Sequence, residues 1–267
     1  MKKKPVVIFL LFLLIWNKSP AQALRVQAIT VADGLSQGFV SCLFQDSRGF
    51  IWIGTFNGLN RYDGYQIKRF DLDNTLPWSL KANFIHCITE DRHGLLWLGT
   101  DKGPVVHDPH SDRFVHLAET VPALPGADVS RIITCSDGRV WINYWQPGTS
   151  GVLAVQPPDD LTTLIRTGRL DGRAFQVQPV SLGAGLNSPL TDLQMLQDSI
   201  LIACDAQHRH CRINPETRTA ERSDPRTLPH RRYGNYRLVY QVNGQQGFVF
   251  LPEETPHNQP DNIEMWS

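Results

Sequence analysis

Apolar and polar positions alternate along this chain in bursts of about five residues, broken by glycine, asparagine and aspartate, which is the rhythm of strands and tight turns. Residues 40–45, Val-Ser-Cys-Leu-Phe-Gln, have the β-branched and apolar content of a strand. Asp46-Ser-Arg-Gly49 then supplies a turn, and residues 50–55 read as a second strand. Asn57-Gly58 turns the chain into a third strand at residues 59–62. A fourth is expected at 66–70, with its counterpart in the next unit at 113–117. Little of the sequence shows the 3.6-residue period of a helix.

These strands belong to a repeat. Asp46-Ser-Arg-Gly49-Phe-Ile-Trp52-Ile-Gly54-Thr55 returns 45 residues later as Asp91-Arg-His-Gly94-Leu-Leu-Trp97-Leu-Gly99-Thr100. A third copy, with Gly138 and Trp141, follows after another 44 and replaces the Gly-Thr end by Asn143-Tyr144. A period of about 40 to 50 residues, with a glycine turn and an aromatic in each unit, predicts an all-β fold: a β-propeller of four-stranded blades. Trp52 and Trp97 are expected between neighbouring blades, because one blade cannot close a core alone. Gly54 and Gly99 would let another backbone approach. Blades are expected at about 39–73, 84–120 and 129–156, then in weaker copies at 193–222 and 236–251, the last turning at Asn243-Gly244. That makes about five recognisable units and a partial propeller, followed by a loose tail at 252–267 rich in Pro, Asn and Glu. The stretch opened by Gln156-Pro-Pro-Asp-Asp160 has no strand partner legible in the sequence.

The start of the chain changes where this propeller is expected to work. Lys2, Lys3 and Lys4 precede an apolar run at 6–16 and the small-residue exit Ala21-Gln-Ala23, the plan of a signal peptide over residues 1–23 cut after Ala23. The run of about eleven residues is short for a membrane anchor, which needs about twenty. Cleavage removes four lysines, Lys18 included, and no acid from a balance of 26 Lys and Arg against 26 Asp and Glu, leaving a net charge of −4. A periplasmic or otherwise extracytoplasmic protein without a stable membrane span is therefore expected, and nucleic acid is not an expected partner. About 244 residues remain, enough for a sizeable core. The five cysteines, at 42, 87, 135, 204 and 211, are too few for a disulfide scaffold, so packing must supply the stability.

The first unit, GLSQGFVSCLFQDSRGFIWIGTFNGLNRYDGYQIKRF over residues 34–70, resembles the opening repeat of the two-component regulator propeller family. The connection DLDNTLPWSLKANFIHCITED over 71–91 is similar to that family's link between blades. The resemblance implies the periplasmic sensor region of a hybrid two-component regulator of Bacteroidetes type, many of which sense glycans, and it implies no cofactor. In that family a transmembrane helix and a histidine kinase normally follow, and two successive propellers of about seven blades each are usual. This sequence shows neither kinase nor membrane segment, so three situations are open: a truncated product, a free-standing propeller, or part of a split sensor whose histidine kinase or further blades are encoded separately. A partial propeller leaves an unpaired blade edge that invites a partner.

Catalytic motifs are not evident. Gly148-Thr-Ser150-Gly151 and Gly34-Leu-Ser36-Gln-Gly38 misplace the glycines of a nucleophile elbow, and the paired acids Glu90-Asp91 and Asp159-Asp160 fall in turns. A non-enzymatic sensor is expected, with a secreted polysaccharide lyase or hydrolase, or a non-functional fragment, as the alternatives. Cys204, Asp205, His208, His210 and Cys211 lie close enough together for a metal site, a hairpin disulfide between the two cysteines, or a plain polar loop, and no second ligand pair favours the metal. Cys42 and Cys87 read as buried thiols on inner strands. The histidines at 86, 93, 107, 110 and 116 fall on different strands and turns. Eight arginines between 209 and 237 form a basic stretch, read as a solvated face or a contact for an acidic partner.

Ligand recognition is expected on the face where the turns between second and third strands meet the connections between blades. That face would carry Phe56 and Asn57, the connection 74–83 with Trp78 and Asn83, and Asp101-Lys102. An aromatic ring flanked by amides and charges suits an oligosaccharide, whose apolar face stacks while its hydroxyls take hydrogen bonds.

Overall fold

The computed structural model describes residues 29–147, 149–181, 190–196, 200–205, 210–222, 236–242 and 245–250. The expected signal peptide, the tail, the Asn243-Gly244 turn and His208 lie outside the described residues. The fold is all-β, as the repeat predicts. Four antiparallel sheets of four strands follow one another along the chain, each in sequential order. The first comprises β1 (Val40–Gln45), β2 (Ile51–Thr55), β3 (Gly58–Tyr62) and β4 (Ile67–Phe70). The second comprises β5 (Ile85–Glu90), β6 (Leu96–Thr100), β7 (Gly103–Asp108) and β8 (Arg113–His116). The third is β9 (Asp128–Thr134), β10 (Val140–Gln146), β11 (Thr149–Gln156) and β12 (Gln176–Pro179). The fourth is β13 (Leu190–Leu196), β14 (Ile200–Asp205), β15 (His210–Asn214) and β16 (Thr219–Arg222). A two-stranded sheet, β17 (Tyr236–Val242) with β18 (Gln245–Phe250), places β17 beside β1.

Each sheet is a blade, and the core lies between blades. Trp52 is fully buried with Leu59, Phe70, Leu96, Leu98 and Phe114, which join the first and second sheets. Trp97 is fully buried with Val106, Ile132, Val140, Ile142 and Leu153, joining the second and third. Trp141 does the same between the third and fourth, against Val152, Leu193, Leu201 and Ile213. The turn aspartate explains how two of these rings are fixed. Asp46 Oδ1 accepts the N–H groups of Arg48 and Phe50 while Oδ2 accepts Trp52 Nε1–H at 2.9 Å. Asp91 repeats this with His93, Leu95 and, at 2.9 Å, Trp97 Nε1–H. In the third blade Cys135 stands at the aspartate's position, and Trp141 Nε1 has no partner among the described residues.

The blades touch closely near their first strands. A side chain at Gly54 would collide with Cys42 Sγ and crowd Ile85, and one at Gly99 would collide with the Val129 carbonyl, so these glycines admit the next blade's first strand. Burial pushes the Cys42 thiol up to about 12 and that of Cys87 up to about 11. Every first strand also breaks register at the same place: between Val40 and Cys42, Ile85 and Cys87, Leu190 and Asp192, and Tyr236 and Leu238, with Ser130 passed over opposite Asn143 and Tyr144. Such bulges re-aim a side chain, and here they aim it across the blade boundary. Ser41 Oγ donates to the Ile85 carbonyl, and Asn143 Nδ2, itself bonded to Ser130 Oγ at 2.9 Å, donates to the Leu190 carbonyl at 3.0 Å.

One feature departs from the sequence reading. The third blade does not stop at residue 156: after a helix at Leu161–Thr167 and a short 3-10 turn at Gly172–Ala174, β12 completes it. Leu161 and Ile165, one turn apart, are buried against the boundary between blades two and three, so the insertion is a wedge with one apolar stripe. Arg166 clamps it by donating to Asp108 at 2.7 and 3.0 Å. Burial alone would raise the Asp108 carboxyl, but the bonds from Arg166, Ser111 and the His110 N–H outweigh it and hold the group well below the usual carboxylate range. Of the alternatives open for Cys204 and Cys211, the hairpin disulfide is not formed. Register sets Cys211 opposite Ala203, so the two thiols belong to opposite faces of their blade.

Candidate functional site

The turn between second and third strands and the entry to each first strand lie at the same end of every blade, and there the apolar surface is not covered. Phe39 precedes β1 and Phe56 sits in the β2–β3 turn; their rings stack with centroids 4.1 Å apart and stay 50% and 40% exposed. Phe84, which precedes β5, meets the edge of Phe56 at 3.9 Å. His86, the bulged residue of β5, lies 3.9 Å from Phe84. Its Nε2 is 3.4 Å from Asp128 Oδ1, close enough for ion pairing yet outside hydrogen-bond geometry. Trp145, opposite Asp128 in the β9–β10 pairing, is a further exposed ring at 42%. Three blades thus contribute to one row of aromatics that ends in a histidine and a carboxylate.

The repeat dictates who stands where. Phe39, Phe84 and Asp128 hold the same position, just before the first β-branched residue of the first strand, in blades one, two and three. Phe56 and Asp101 hold the first position of the two-residue turn in blades one and two. The row therefore changes from two phenylalanines, to a phenylalanine and an aspartate, to an aspartate. Asp101 faces Phe84 directly: its N–H donates to the Phe84 carbonyl at 3.3 Å, and its Oδ1 accepts the Phe84 N–H at 3.4 Å. Desolvation lowers the His86 pKa from 6.5 against the opposing pull of Asp128 and Asp101, so the imidazole is neutral at pH 7.

Of the residues expected from sequence, three share this face. Asn57 is exposed in the turn, and the next residue, Gly58, donates its N–H to the Asn83 carbonyl at 2.7 Å. Lys102 caps the equivalent turn of blade two and lays its ammonium on the Lys81 carbonyl at 2.8 Å. Lys81 Nζ in turn pairs with Glu119 at 2.7 Å.

Trp78 is elsewhere. Instead of arching over the blade ends, the connection runs back along the outer strand β8. The Trp78 carbonyl accepts the Phe114 N–H at 2.8 Å, and His116 Nε2 accepts the Lys81 N–H at 3.0 Å. Phe114 pairs with His107, four residues along β7 from the turn at Gly103, which sets Trp78 about 13 Å down the blade. There its half-buried ring lies under the Arg113 guanidinium, 5.1 Å away, and beside Gly168. Trp78 is a packing residue of the rim. Phe39, Phe84, His86, Trp145 and Asp128 were not singled out as ligand residues, although the 45-residue spacing of Phe39 and Phe84 signals a shared place.

Comparison with known proteins follows the same repeat. The two-component regulator propeller family matches residues 34–57 and 79–102, each running from the entry segment through the first two strands into the turn of one blade. Histidine kinase P4 of Formosa agariphila is 40% identical over 62 residues, 23% of this chain and 4% of the kinase. Among solved structures, the extracellular domain of a putative hybrid two-component system of B. thetaiotaomicron superposes with a TM-score of 0.60 at 21% identity, over 85% of this chain and 31% of that one. The extracellular domain of a second such system from the same organism gives 0.58 at 18% identity, over 84% and 29%. The chain thus spans under a third of the solved domains it matches and a small fraction of the kinase. At these identities the structural likeness speaks for the fold alone, while the matched segments speak for the repeat. Residues 34–57 and 79–102 thus match the repeat of the two-component regulator propeller family.

Proposed function

We propose that this chain is an extracytoplasmic sensor propeller of a two-component regulatory system, exported by cleavage after Ala23, and that it binds an oligosaccharide on the face carrying Phe39, Phe56 and Phe84. The observation that carries this reading is the exposed stack of Phe39 on Phe56 in a molecule whose other repeat aromatics, Trp52, Trp97 and Trp141, are fully buried. Exposed rings in a row, flanked by the amides of Asn57 and Asn83 and by Lys102, offer a sugar both a stacking platform and hydrogen-bond partners. A histidine kinase, encoded with the chain or apart from it, is the partner that would read occupancy. The binder is read as acting without turnover, its row of rings supplying stacking and its polar groups hydrogen bonds.

Calorimetric titration with a panel of plant, algal and host oligosaccharides tests this. Phe56→Ala is expected to weaken the bound sugar by about ten- to a hundredfold, the loss of roughly one buried aromatic contact. Trp78→Ala should leave affinity unchanged. Equal affinity in wild type and Phe56→Ala would move the site elsewhere, and hydrolysis or lysis of any bound glycan would replace the sensor by an enzyme.

A further inference from the structure

The aromatic row does not end symmetrically. Blade one offers two rings, Phe39 and Phe56; blade two offers Phe84 and Asp101; blade three offers Asp128 beside Trp145. Among the described residues the only charged or ionisable partner of Asp128 is His86, and that imidazole is neutral at pH 7. Asp128 keeps 41% of its side chain exposed. Asp101 makes only the long bond from the Phe84 N–H, with no cation paired to it among the described residues. Lys102 forms no ion pair with it among the described residues; its ammonium donates to the Lys81 carbonyl at 2.8 Å. The rings make the surface on which a ligand can lie, and the two carboxylates decide its charge. An aromatic face is itself electron-rich and attracts cations, so both halves of the site favour the same sign.

We infer that this face selects an oligosaccharide carrying protonated amino groups, lying with its sugar rings on Phe39, Phe56 and Phe84 and an ammonium between Asp101 and Asp128. The inference rests on the saccharide reading above and adds the charge of the ligand. Neutral sugars would stack on the same rings but leave both carboxylates unpaired, and an acidic sugar would meet two like charges, which is how such a site would reject them.

The test compares glucosamine oligomers with their fully N-acetylated counterparts of equal length and with a neutral glucan oligomer, by calorimetry on the chain at about pH 6, where the amines carry their protons and the carboxylates do not. The free-amine oligomer should bind about tenfold or more tightly than either. Asp101→Asn with Asp128→Asn should erase that preference while leaving the neutral oligomers unchanged, and added salt should reduce it. Phe56→Ala should weaken all three. Equal binding of amine and N-acetyl forms, still sensitive to Phe56→Ala, would overturn the charge selection and leave the saccharide reading standing. Amine binding that ignores Phe56→Ala would be surface electrostatics and would overturn the inference as well. Failure of all three sugars to bind would remove it together with its saccharide basis.

Discussion

Replacing Trp97 with alanine should destabilise the chain by about 3–5 kcal/mol, the range for deleting a large buried aromatic. The ring is fully buried where blades two and three meet, among side chains drawn from both sheets and from the helical wedge. Because neither sheet encloses its own core, the cavity opens at a boundary, and the blades beyond it should loosen as a unit. Trp97→Phe separates the parts of the effect. It keeps most of the volume but leaves Asp91 Oδ2 without the indole N–H, and should cost less. Urea melts provide the measurement. A change below about 1 kcal/mol for Trp97→Ala would mean that the ring does not join the blades.

Acid should remove a second large contribution, at His107. Its imidazole is fully buried, stacked on Phe114 at 4.0 Å and set edge-on to Trp52 and Phe70, both at 5.3 Å. Nδ1 lies 3.2 Å from the Arg113 carbonyl, while Nε2 has no partner among the described residues. Desolvation pulls its pKa down to about 4 from 6.5. The folded chain therefore holds the ring neutral where the unfolded chain would protonate it. Stability from this group is complete above 6.5 and is lost as pH falls toward 4, in total about 3 kcal/mol. His107→Phe fits the same aromatic nest without titrating. Its unfolding free energy should fall less steeply than wild type between about pH 6.5 and 4, and parallel pH profiles would contradict the assignment.

How much of this was legible in the sequence depends on how local the physics is. The Asp-x-x-Gly-x-x-Trp repeat is a local device: in blades one and two the aspartate closes its own turn and holds its own tryptophan, and a third copy keeps the glycine and the tryptophan, so three blades are announced. Strand β12 was not legible, because Gln176-Val-Gln-Pro179 has little apolar content and pairs with β11 only after the helical wedge has packed. The wedge itself carries just two buried residues, too few for a helical period to stand out. At the site, Asn57, Asn83 and Lys102 followed from the order of strands in a blade. Trp78 did not, since nothing in residues 71–83 reveals that their backbone will bond to β8. Asp128 was hidden for another reason: it breaks the pattern of Phe39 and Phe84 at their own position, and only the superposed blades show the exchange.

The central claim is that ligand binds where the blade ends expose Phe39, Phe56 and Phe84. Amide hydrogen exchange on the chain with and without a bound oligosaccharide reads this directly. Slowed exchange should concentrate in peptides covering residues 38–41, 55–58, 83–86 and 101–103, with the rim around Trp78 and Gly168 unchanged. Protection confined to the rim, or to the groove between Arg139 and Arg218 across blades three and four, would place the ligand away from the aromatic row and contradict the account.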